Sequence, residues 1–325
     1  MVVRDRTRGD AMKLTGGVYL FVVGLLVLGR LVSPDFWSAG NLVEVVQDVS
    51  ILGMVSLGLA FVTYGGQMVD LSIPVQMSVA GIVAVALLGA GIVPALLGGL
   101  AVGTLLGLLN GLVVGYLRVN PILWTLAALS LADGVTRWAY GGKWIYADGA
   151  QAGGRAFIAL YRSAVLGVPL CVWVFAALAL AAHALQRHTV FGRQLKLTGA
   201  AYEAARLSGV PVRRRLMLAF ALSGLTAALA GLFQTSLNKY GDVEIGLGFD
   251  FQAITAVVLG GVPLGGGRGS MGGVVGGVLV VGLLGRVLPL AGCGQDMMLV
   301  VRGLLFIAVV GLSQWQLRRG GRDDQ

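Results

Sequence analysis

The chain has 325 residues, of which 57% are hydrophobic and 12% are charged, and its formal net charge is +9. A soluble globular domain carries about 25% charged residues, whereas several runs in this chain approach the roughly 20 uncharged residues that cross a bilayer as a helix. This composition argues against a soluble protein, and the basic residues, which lie between apolar runs without interleaved aromatic side chains, argue against a nucleic-acid-binding surface.

The apolar runs predict an all-α polytopic membrane protein with about ten transmembrane segments, some of them short or broken. The first run follows a basic flank, is long for a signal peptide and has no clear cleavage site, so we predict an uncleaved first span. Glu44 and Asp48 lie one turn apart at the outer end of the second segment. In chain order the segments are predicted at 14–32, 43–63, 74–88, 94–117, 121–140, 168–185, 216–237, 251–262, 272–290 and 297–312.

The distribution of positive charge predicts the orientation of these segments. If the N-terminus is cytoplasmic, most of the 24 Lys and Arg residues fall in cytoplasmic loops and tails, as the positive-inside rule requires. Both termini are therefore predicted to be cytoplasmic. The domain division that follows is an N-terminal tail at 1–13, a transmembrane domain at 14–313 with a cytoplasmic loop at 187–215, and a basic cytoplasmic tail at 314–325.

Two acidic residues stand beside interruptions of the apolar pattern. Asp70 lies in the break YGGQMVDLSIP at 64–74, and Asp250 precedes the short eighth segment. An ionisable residue within a membrane is costly and usually functional. Capping is nevertheless the favoured interpretation at both positions, with Ser72 as N-cap of the third segment, and a role in a translocation path stays open. The other polar residues within or beside spans, which could form interhelical hydrogen bonds or line a path, are Gln76, Asn110, Asn120, Thr125 and Gln234.

A short polar helix is predicted between two long apolar runs, at 199–208. Thr198 is a plausible N-cap, Gly209 supplies a C-terminal stop, and Pro211 cannot continue the helix. A helix this short is marginal alone in water and needs a partner surface. One interpretation is a docking helix, and the other is a linker at the lipid headgroups, anchored to phosphates by the arginines at 213–215.

Several motifs could indicate nucleotide binding, metal binding or a disulfide, but each has a simpler structural explanation. The sequence GRGSMG at 267–272 fits a dinucleotide fingerprint but follows no strand, and the chain contains no phosphate-binding P-loop. His183 and His188 have no further ligand at metal spacing. Cys171 and Cys293 are best explained as small apolar residues, although a disulfide between them is conceivable. No catalytic residue and no metal site is predicted.

Four segments, in order, resemble the permease subunits of bacterial ABC sugar importers for ribose, xylose, galactose, rhamnose and autoinducer-2. The most specific segment is FGRQLKLTGAAYEAARLSGVPVRRRLMLAFALSGLTAALAG at 191–231. The others are GGQMVDLSIPVQMSVAG at 65–81, NPILWTLAALSLADGVTRWAYGG at 120–142 and GLGFDFQAITAVVLGGVPLGGGRGSMGGVVGG at 246–277. The chain departs from the family pattern at Gln67, Met68 and Val69, before Asp70, and at 249–252.

The resemblance implies a role for the short polar helix and a set of partners. In that family the helix couples the permease to a cytoplasmic ABC ATPase. ATP would be bound by those partner subunits, so the chain itself would be no enzyme and would need no cofactor. A second permease copy or a paralogue, membrane lipid and a periplasmic sugar-binding protein docking near 136–162 and 238–246 are the other implied partners, at the bacterial inner membrane. The residues that would meet the ATPase are Glu203, Ala204, Ala205, Arg206, Leu207 and Gly209.

Three alternatives from other classes are open to the sequence. An ion-coupled secondary transporter would have paired intramembrane carboxylates or a broken-helix motif repeated in two halves. The short third and eighth segments satisfy the second criterion weakly. That alternative gives the loop around Glu203 no role. A membrane enzyme is disfavoured by the missing catalytic set, and a structural scaffold does not explain the acidic breaks.

Overall fold

The structure, a computed structural model, describes the backbone at residues 2–67 and 69–320 and the side chains at residues 16–67 and 69–311. Met68, in the departure before Asp70, and Arg322, in the basic tail, lie outside the described residues. The helices are α1 (Val2–Val32), α2 (Ala39–Tyr64), α3 (Ile73–Ala86), α4 (Ile92–Leu112), α5 (Pro121–Tyr140), α6 (Gly154–Leu160), α7 (Leu170–His188), α8 (Val190–Ala200), α9 (Tyr202–Leu207), α10 (Val212–Asn238), α11 (Phe249–Leu259), α12 (Met271–Leu290) and α13 (Gln295–Gly320). Short 3₁₀ helices lie at Pro34–Trp37 and Leu88–Ala90, and a π-helical turn, Val113–Leu117, extends α4.

Strands are confined, in the described part of the chain, to four two-residue pieces. They are β1 (Ile145–Tyr146), β2 (Ala164–Val165), β3 (Val168–Pro169) and β4 (Tyr240–Gly241). β1 pairs with β4 and β2 with β3, both antiparallel.

Five of the described helices are long and apolar enough to cross a membrane, by length and composition: α2, α4 with its π turn, α7, α10 and α12. Three shorter apolar helices accompany them, at Gly16–Val32, Ile73–Ala86 and Phe249–Leu259. The prediction of an all-α membrane protein is therefore confirmed. The short third and eighth segments appear as α3 and α11, close to their predicted positions.

Burial divides the long helices into a core and a periphery. The most apolar window of α2 is 89% buried and that of α10 is 67% buried, against 22% for α4 and 17% for α7. Because lipid tails are as apolar as the core, helices in a membrane associate through close packing rather than through the hydrophobic effect. α2 and α10 form the centre around which the remaining helices pack.

A glycine seam holds α4 against α10. Gly99, Gly103, Gly107 and Gly111 recur every four residues on one face of α4, and a Cβ at each would collide with neighbouring atoms, mostly of α10. At Gly107, for example, it would lie 2.9 Å from the Cα of Gly224 and closer still to the carbonyl oxygen of a neighbouring residue. Small residues at this spacing let two membrane helices approach to backbone contact.

The two ends of the bundle are built differently. At one end β1 pairs with β4, and the Gly153 amide donates to the carbonyl oxygen of Leu88 at 2.9 Å. At the other end α8 and α9 pack beside the loops that follow α2 and α11, and the Gly267 amide donates to the Tyr64 carbonyl oxygen at 3.1 Å. We call these the β1–β4 end and the α8–α9 end.

α3 and α11 both begin inside the bundle. The segment at 65–72 leaves α2 at the α8–α9 end and returns inward before α3 starts. The segment at 242–248 enters from the β1–β4 end, where the Ser78 hydroxyl of α3 donates to the Val243 carbonyl oxygen at 2.8 Å. Non-helical backbone is tolerated at membrane depth only where protein or a cavity satisfies it, and here the neighbouring helices supply the partners.

Candidate coupling surface and buried polar cluster

A buried polar cluster surrounds Asp70, which is fully buried between α3, α4, α5 and α10. Its Oδ1 accepts hydrogen bonds from the amide of Ser72 at 3.0 Å and from the Ser72 hydroxyl at 2.5 Å. Its Oδ2 accepts from Gln76 Nε2 at 3.2 Å and from Ser223 Oγ at 3.4 Å. Four donors therefore converge on one carboxylate, and their hydrogen bonds offset the free-energy cost of removing it from water.

The hydrogen bonds of the cluster have a fixed direction that ends at Asp70. The indole of Trp124 can only donate, and it donates to Asn110 Oδ1 at 3.0 Å. The amide group of Asn110 must then face Ser72, and its Nδ2 donates to the Ser72 hydroxyl oxygen at 2.7 Å. The Ser72 hydroxyl is left with its own hydrogen to give to the carboxylate. The network thus connects α5 through α4 to the break before α3.

The structure brings some of the predicted polar residues into this cluster and leaves others out. Ser72 occupies the N-cap position of α3, but its side chain makes no capping bond. Thr125 is fully buried, and its hydroxyl oxygen accepts from the amide of Leu71 at 3.1 Å. Asn120 is exposed and caps α5 by accepting from the amides of the second and third residues that follow it.

Asp250 lies close to the cluster without joining its hydrogen bonds. It stands in the first turn of α11, is 7% exposed, and accepts a backbone hydrogen bond from Phe251. Its charge is within electrostatic range of Asp70. A carboxylate near a helix N-terminus is favoured by the helix dipole, so Asp70 and Asp250 both stand at helix starts inside the bundle.

An ion network in the same bundle escaped the sequence analysis. The guanidinium of Arg286 on α12 lies 2.9 Å from Glu44 and 2.9 Å from Asp48, both on α2. The sequence shows the two carboxylates one turn apart, but their partner is more than 200 residues away in the chain. No local pattern in the sequence indicates such a contact.

α9 is the predicted short polar helix, and it is shorter than expected. Thr198 is not its N-cap, because Thr198 is buried in α8 and its hydroxyl donates to Gln194. The predicted stop is confirmed: Gly209 has φ +78°, and its amide bonds to Arg206 while that of Val210 bonds to Ala205. This pair of bonds is a Schellman motif, which requires a left-handed residue at Gly209.

The six residues expected to meet a partner do not all face outward. Glu203 and Arg206 are exposed and form an ion pair at 3.4 Å, which contributes little to stability at a surface. Leu207 is 82% exposed, and Ala204 and Gly209 are also exposed. Ala205 is 5% exposed and packs into the core. Ala205 therefore faces the bundle and not the exposed surface of α9, and its contact with a partner stays a prediction.

A glycine junction joins α8 to both interrupted segments. A Cβ on Gly199 would lie 2.6 Å from the amide nitrogen of Gly267, 3.0 Å from that of Gly66, and closer still to the carbonyl oxygen of Tyr64. All three are backbone atoms, one in the last residue of α2 and two in the loops that follow α2 and α11. A displacement of α8 toward these atoms would therefore press directly on the backbone that leads to Asp70 and on the loop after α11.

Lys196 also contacts the residues around this glycine junction. Its ammonium donates to the Gly269 carbonyl oxygen at 2.8 Å and lies 5.3 Å from the ring centroid of Tyr64. Burial lowers the pKa of Lys196 below its usual value, because desolvation penalises the charged form.

The remaining candidate chemical groups do not assemble into a site. Cys171 is buried and Cys293 is half-buried, and both are free, so the conceivable disulfide between them is not formed. Among the described side chains, at 16–67 and 69–311, no group of three or more His, Cys, Asp or Glu could hold a metal ion.

The fold and the site together define a multi-pass α-helical membrane protein whose core contains two half-helices and whose α8–α9 end carries a short exposed helix. The chain belongs to the family described as branched-chain amino acid transport system / permease component, whose sequence model matches residues 41–310.

Individual relatives cover most of the chain. It is 31% identical over 297 residues to the ribose import permease protein RbsC of Escherichia coli strain K12, covering 89% of this chain and 91% of that one. It is 32% identical over 307 residues to the L-arabinose transport system permease protein AraH of the same strain, covering 93% and 90%. The ribose import permease protein RbsC of Bacillus subtilis strain 168 is 30% identical over 317 residues, covering 96% of each chain.

These matches confirm the resemblance that the four sequence segments indicated. The chain is a transmembrane permease subunit of an ABC importer and a multi-pass protein of the inner membrane.

Proposed function

We propose that this permease imports a sugar that a periplasmic binding protein delivers, driven by ATP hydrolysed in separate cytoplasmic ABC ATPase subunits. The relatives are named for ribose and L-arabinose, both five-carbon sugars, and a sugar of that size is the proposed substrate. On this proposal the chain is no enzyme and holds no cofactor, because ATP is bound by its partners.

The glycine junction at Gly199 is the observation that carries this proposal. An importer driven by a separate ATPase must transmit motion from an exposed surface to the path through the membrane. α9 offers the surface, with Leu207 as an exposed apolar side chain, and α8 contacts the backbone that leads to Asp70. Glu203, Ala204, Arg206, Leu207 and Gly209 are the proposed ATPase-contacting residues.

The path itself is proposed to run beside the buried polar cluster. Asp70, Ser72 and Thr125 hold the start of α3, and Asp250 stands at the start of α11. Because both half-helices begin inside the bundle, small shifts of the junction would reposition polar groups at membrane depth. We place Asn120 outside this path, as the cap that starts α5.

Ten passes and two cytoplasmic termini are the proposed topology. α1, α2, α4, α5, α7, α10, α12 and α13 each count as one pass, and the segments 65–86 and 242–259 complete the set. The hydroxyl of Tyr19 on α1 donates to the Gly272 carbonyl oxygen at 3.0 Å, which supports an N-terminus at the α8–α9 end.

The proposed binding-protein surface lies at the β1–β4 end. The pairing of β1 with β4 brings the two predicted docking loops together. The ring of Trp144 stacks on that of Tyr240 with centroids 4.9 Å apart, and Arg137 lies 3.8 Å from Glu244. A second copy of this chain or a related permease is proposed to complete the pore.

Co-purification of the ATPase tests the coupling surface. We expect Leu207→Asp to release the ATPase, because it places a charge on the exposed apolar side chain of α9. Glu203→Lys with Gly209→Trp should do the same more severely. Leu197→Asp is the matched control, since Leu197 is also exposed, at 56%, but lies on α8. Equal retention by all variants would place the ATPase elsewhere.

An ion-coupled secondary transporter is the second candidate, and one observation favours it. Asp70 is fully buried, and its hydrogen-bond partners in the described chain are all neutral. A carboxylate of this kind could exchange a proton or a cation with a gradient. Sugar uptake that persists without any ATPase and stops when an ionophore collapses the gradient would favour this candidate.

A further inference from the structure

A basic cavity of about 410 Å³ opens where α4, α9 and α10 meet. It is lined by Tyr116 at the end of α4, by Tyr202 on α9, and by residues at the start of α10. Three arginines contribute to it: Arg206, Arg213 and Arg214. The cavity is separate from the buried polar cluster and from the glycine junction.

The three arginines of the cavity have fewer carboxylate partners than positive charges. Arg206 pairs with Glu203, whereas Arg213 lies over the ring of Tyr116, with 5.7 Å between its guanidinium carbon and the ring centroid. Within the described residues, no ion pair joins Arg213 or Arg214 to a carboxylate at 4.0 Å or less.

The position of these arginines raises the electrostatic cost. α10 has no acidic residue in its first turn, and Pro211 at its N-cap provides no side-chain cap. A helix N-terminus carries a partial positive charge and disfavours nearby cations. Arg213 and Arg214, the two arginines of the first turn of α10 that line the cavity, therefore add to a positive potential, which an anion in the cavity would offset.

An apolar stripe leads from the membrane to the cavity. Leu105, Leu109, Leu112 and Tyr116 lie on one face of α4 and its π turn, and they are 55%, 56%, 45% and 40% exposed. This face is opposite to the glycine seam, because the two sets are half a helical turn apart. The stripe ends at Tyr116, which also lines the cavity.

We propose that this cavity binds the headgroup of an anionic phospholipid, with the phosphate on Arg213 and Arg214 and an acyl chain along the apolar stripe of α4. The arginines supply planar donors that suit phosphate oxygens. The stripe selects a lipid over a free anion, because it offers an apolar surface to an acyl chain. The site would place a lipid against the segment at 208–211 that joins α9 to α10.

Native mass spectrometry of the purified full chain in detergent tests this proposal, with dioleoyl phosphatidylglycerol, dioleoyl phosphatidylcholine and inorganic phosphate as probes. We expect one phosphatidylglycerol per chain to bind saturably, and phosphatidylcholine to bind at least tenfold more weakly. Since each basic residue near an anionic lipid surface contributes about fivefold in affinity, Arg213→Gln with Arg214→Gln should weaken phosphatidylglycerol binding roughly thirtyfold.

The matched control is Arg187→Gln with Arg193→Gln, which removes the same charge from exposed positions at the α8–α9 end that do not line the cavity. It should change the affinity less than threefold, and both double variants should unfold thermally at the wild-type temperature in phosphatidylcholine nanodiscs. Equal weakening by the two double variants would overturn the proposal in favour of unspecific attraction. The proposal would also be overturned if inorganic phosphate bound saturably without competing with phosphatidylglycerol. Equal binding of the two lipids would overturn it as well.

A variant of the stripe keeps the proposal testable if the arginine variant does not fold. Leu109→Ser exposes a hydroxyl on the lipid-facing side of α4 and leaves the cavity charges intact. We expect it to weaken phosphatidylglycerol binding severalfold and to leave the binding of inorganic phosphate unchanged. Unchanged lipid affinity in Leu109→Ser would remove the acyl chain from the stripe and contradict the lipid assignment.

Discussion

Gly199→Ala is expected to separate ATPase docking from transport. The added Cβ would lie 2.6 Å from the amide nitrogen of Gly267, whereas ordinary contacts of a Cβ begin near 3.4 Å. α8 would have to move by roughly 0.8 Å or more to restore that spacing, and the atoms that oppose it are backbone. Overpacking of this kind costs about 1–3 kcal/mol, which corresponds to a shift of about 5- to 150-fold in the equilibrium between the packed and displaced junction.

The displaced junction should leave α9 able to hold the ATPase, because no residue of its exposed surface changes. We therefore expect Gly199→Ala to co-purify with the ATPase at the wild-type level and to lose at least fivefold in sugar uptake. The assay is ATP-dependent uptake of labelled sugar into proteoliposomes that contain the full importer. Thermal unfolding of the same preparation measures how much stability the clash of the added Cβ costs.

Gly272→Ala provides the matched control. It adds the same methyl group near the same end of the bundle, at a position where a Cβ would meet nothing within 4 Å. It should transport at the wild-type rate. Wild-type uptake and unchanged stability in Gly199→Ala would refute the reasoning, because the junction would then not be closely packed.

Three further changes have defined outcomes. Gly107→Leu should lower the free energy of unfolding by about 1–3 kcal/mol, because a side chain would enter the seam with α10, whereas Gly134→Ala, at an open position, should leave it unchanged in thermal unfolding. Asp70→Asn should cost about 1.5–3 kcal/mol in the same assay, since it replaces a charged acceptor with a group that also donates, and an unaltered unfolding temperature would contradict its role. The pKa of Lys196 is lowered on folding, so the unfolded state binds the extra proton and stability should rise as pH increases toward 10.5. Lys196→Met should abolish that slope in alkaline unfolding curves, and a slope retained in full would assign it to another group.

The sequence predicted those features that depend on local patterns. Apolar runs located the helices, and the glycine at 209 marked the end of α9 because a left-handed residue is needed there. The break before α3 was visible as Gly, Asp and Pro within an apolar context. Asp70 could be selected as a candidate because a lone carboxylate in such a context is costly.

The remaining features depend on contacts between distant segments. Ser72 has the position of an N-cap, but Asn110 and Trp124 from two other helices direct its hydroxyl to Asp70. Arg286 meets its carboxylate partners across helices that are far apart in sequence. Ala205 is buried because α9 folds back on the bundle. The amino-acid sequence of α9 does not indicate which of its faces is buried.

The measurement that tests the account most directly is sugar uptake into proteoliposomes with and without the ATPase subunits. We expect uptake of ribose or L-arabinose to require ATP, the ATPase and the binding protein together, and to continue when ionophores collapse the ion gradients. Uptake by this chain alone, driven by a proton or sodium gradient, would contradict the importer account and establish the ion-coupled alternative.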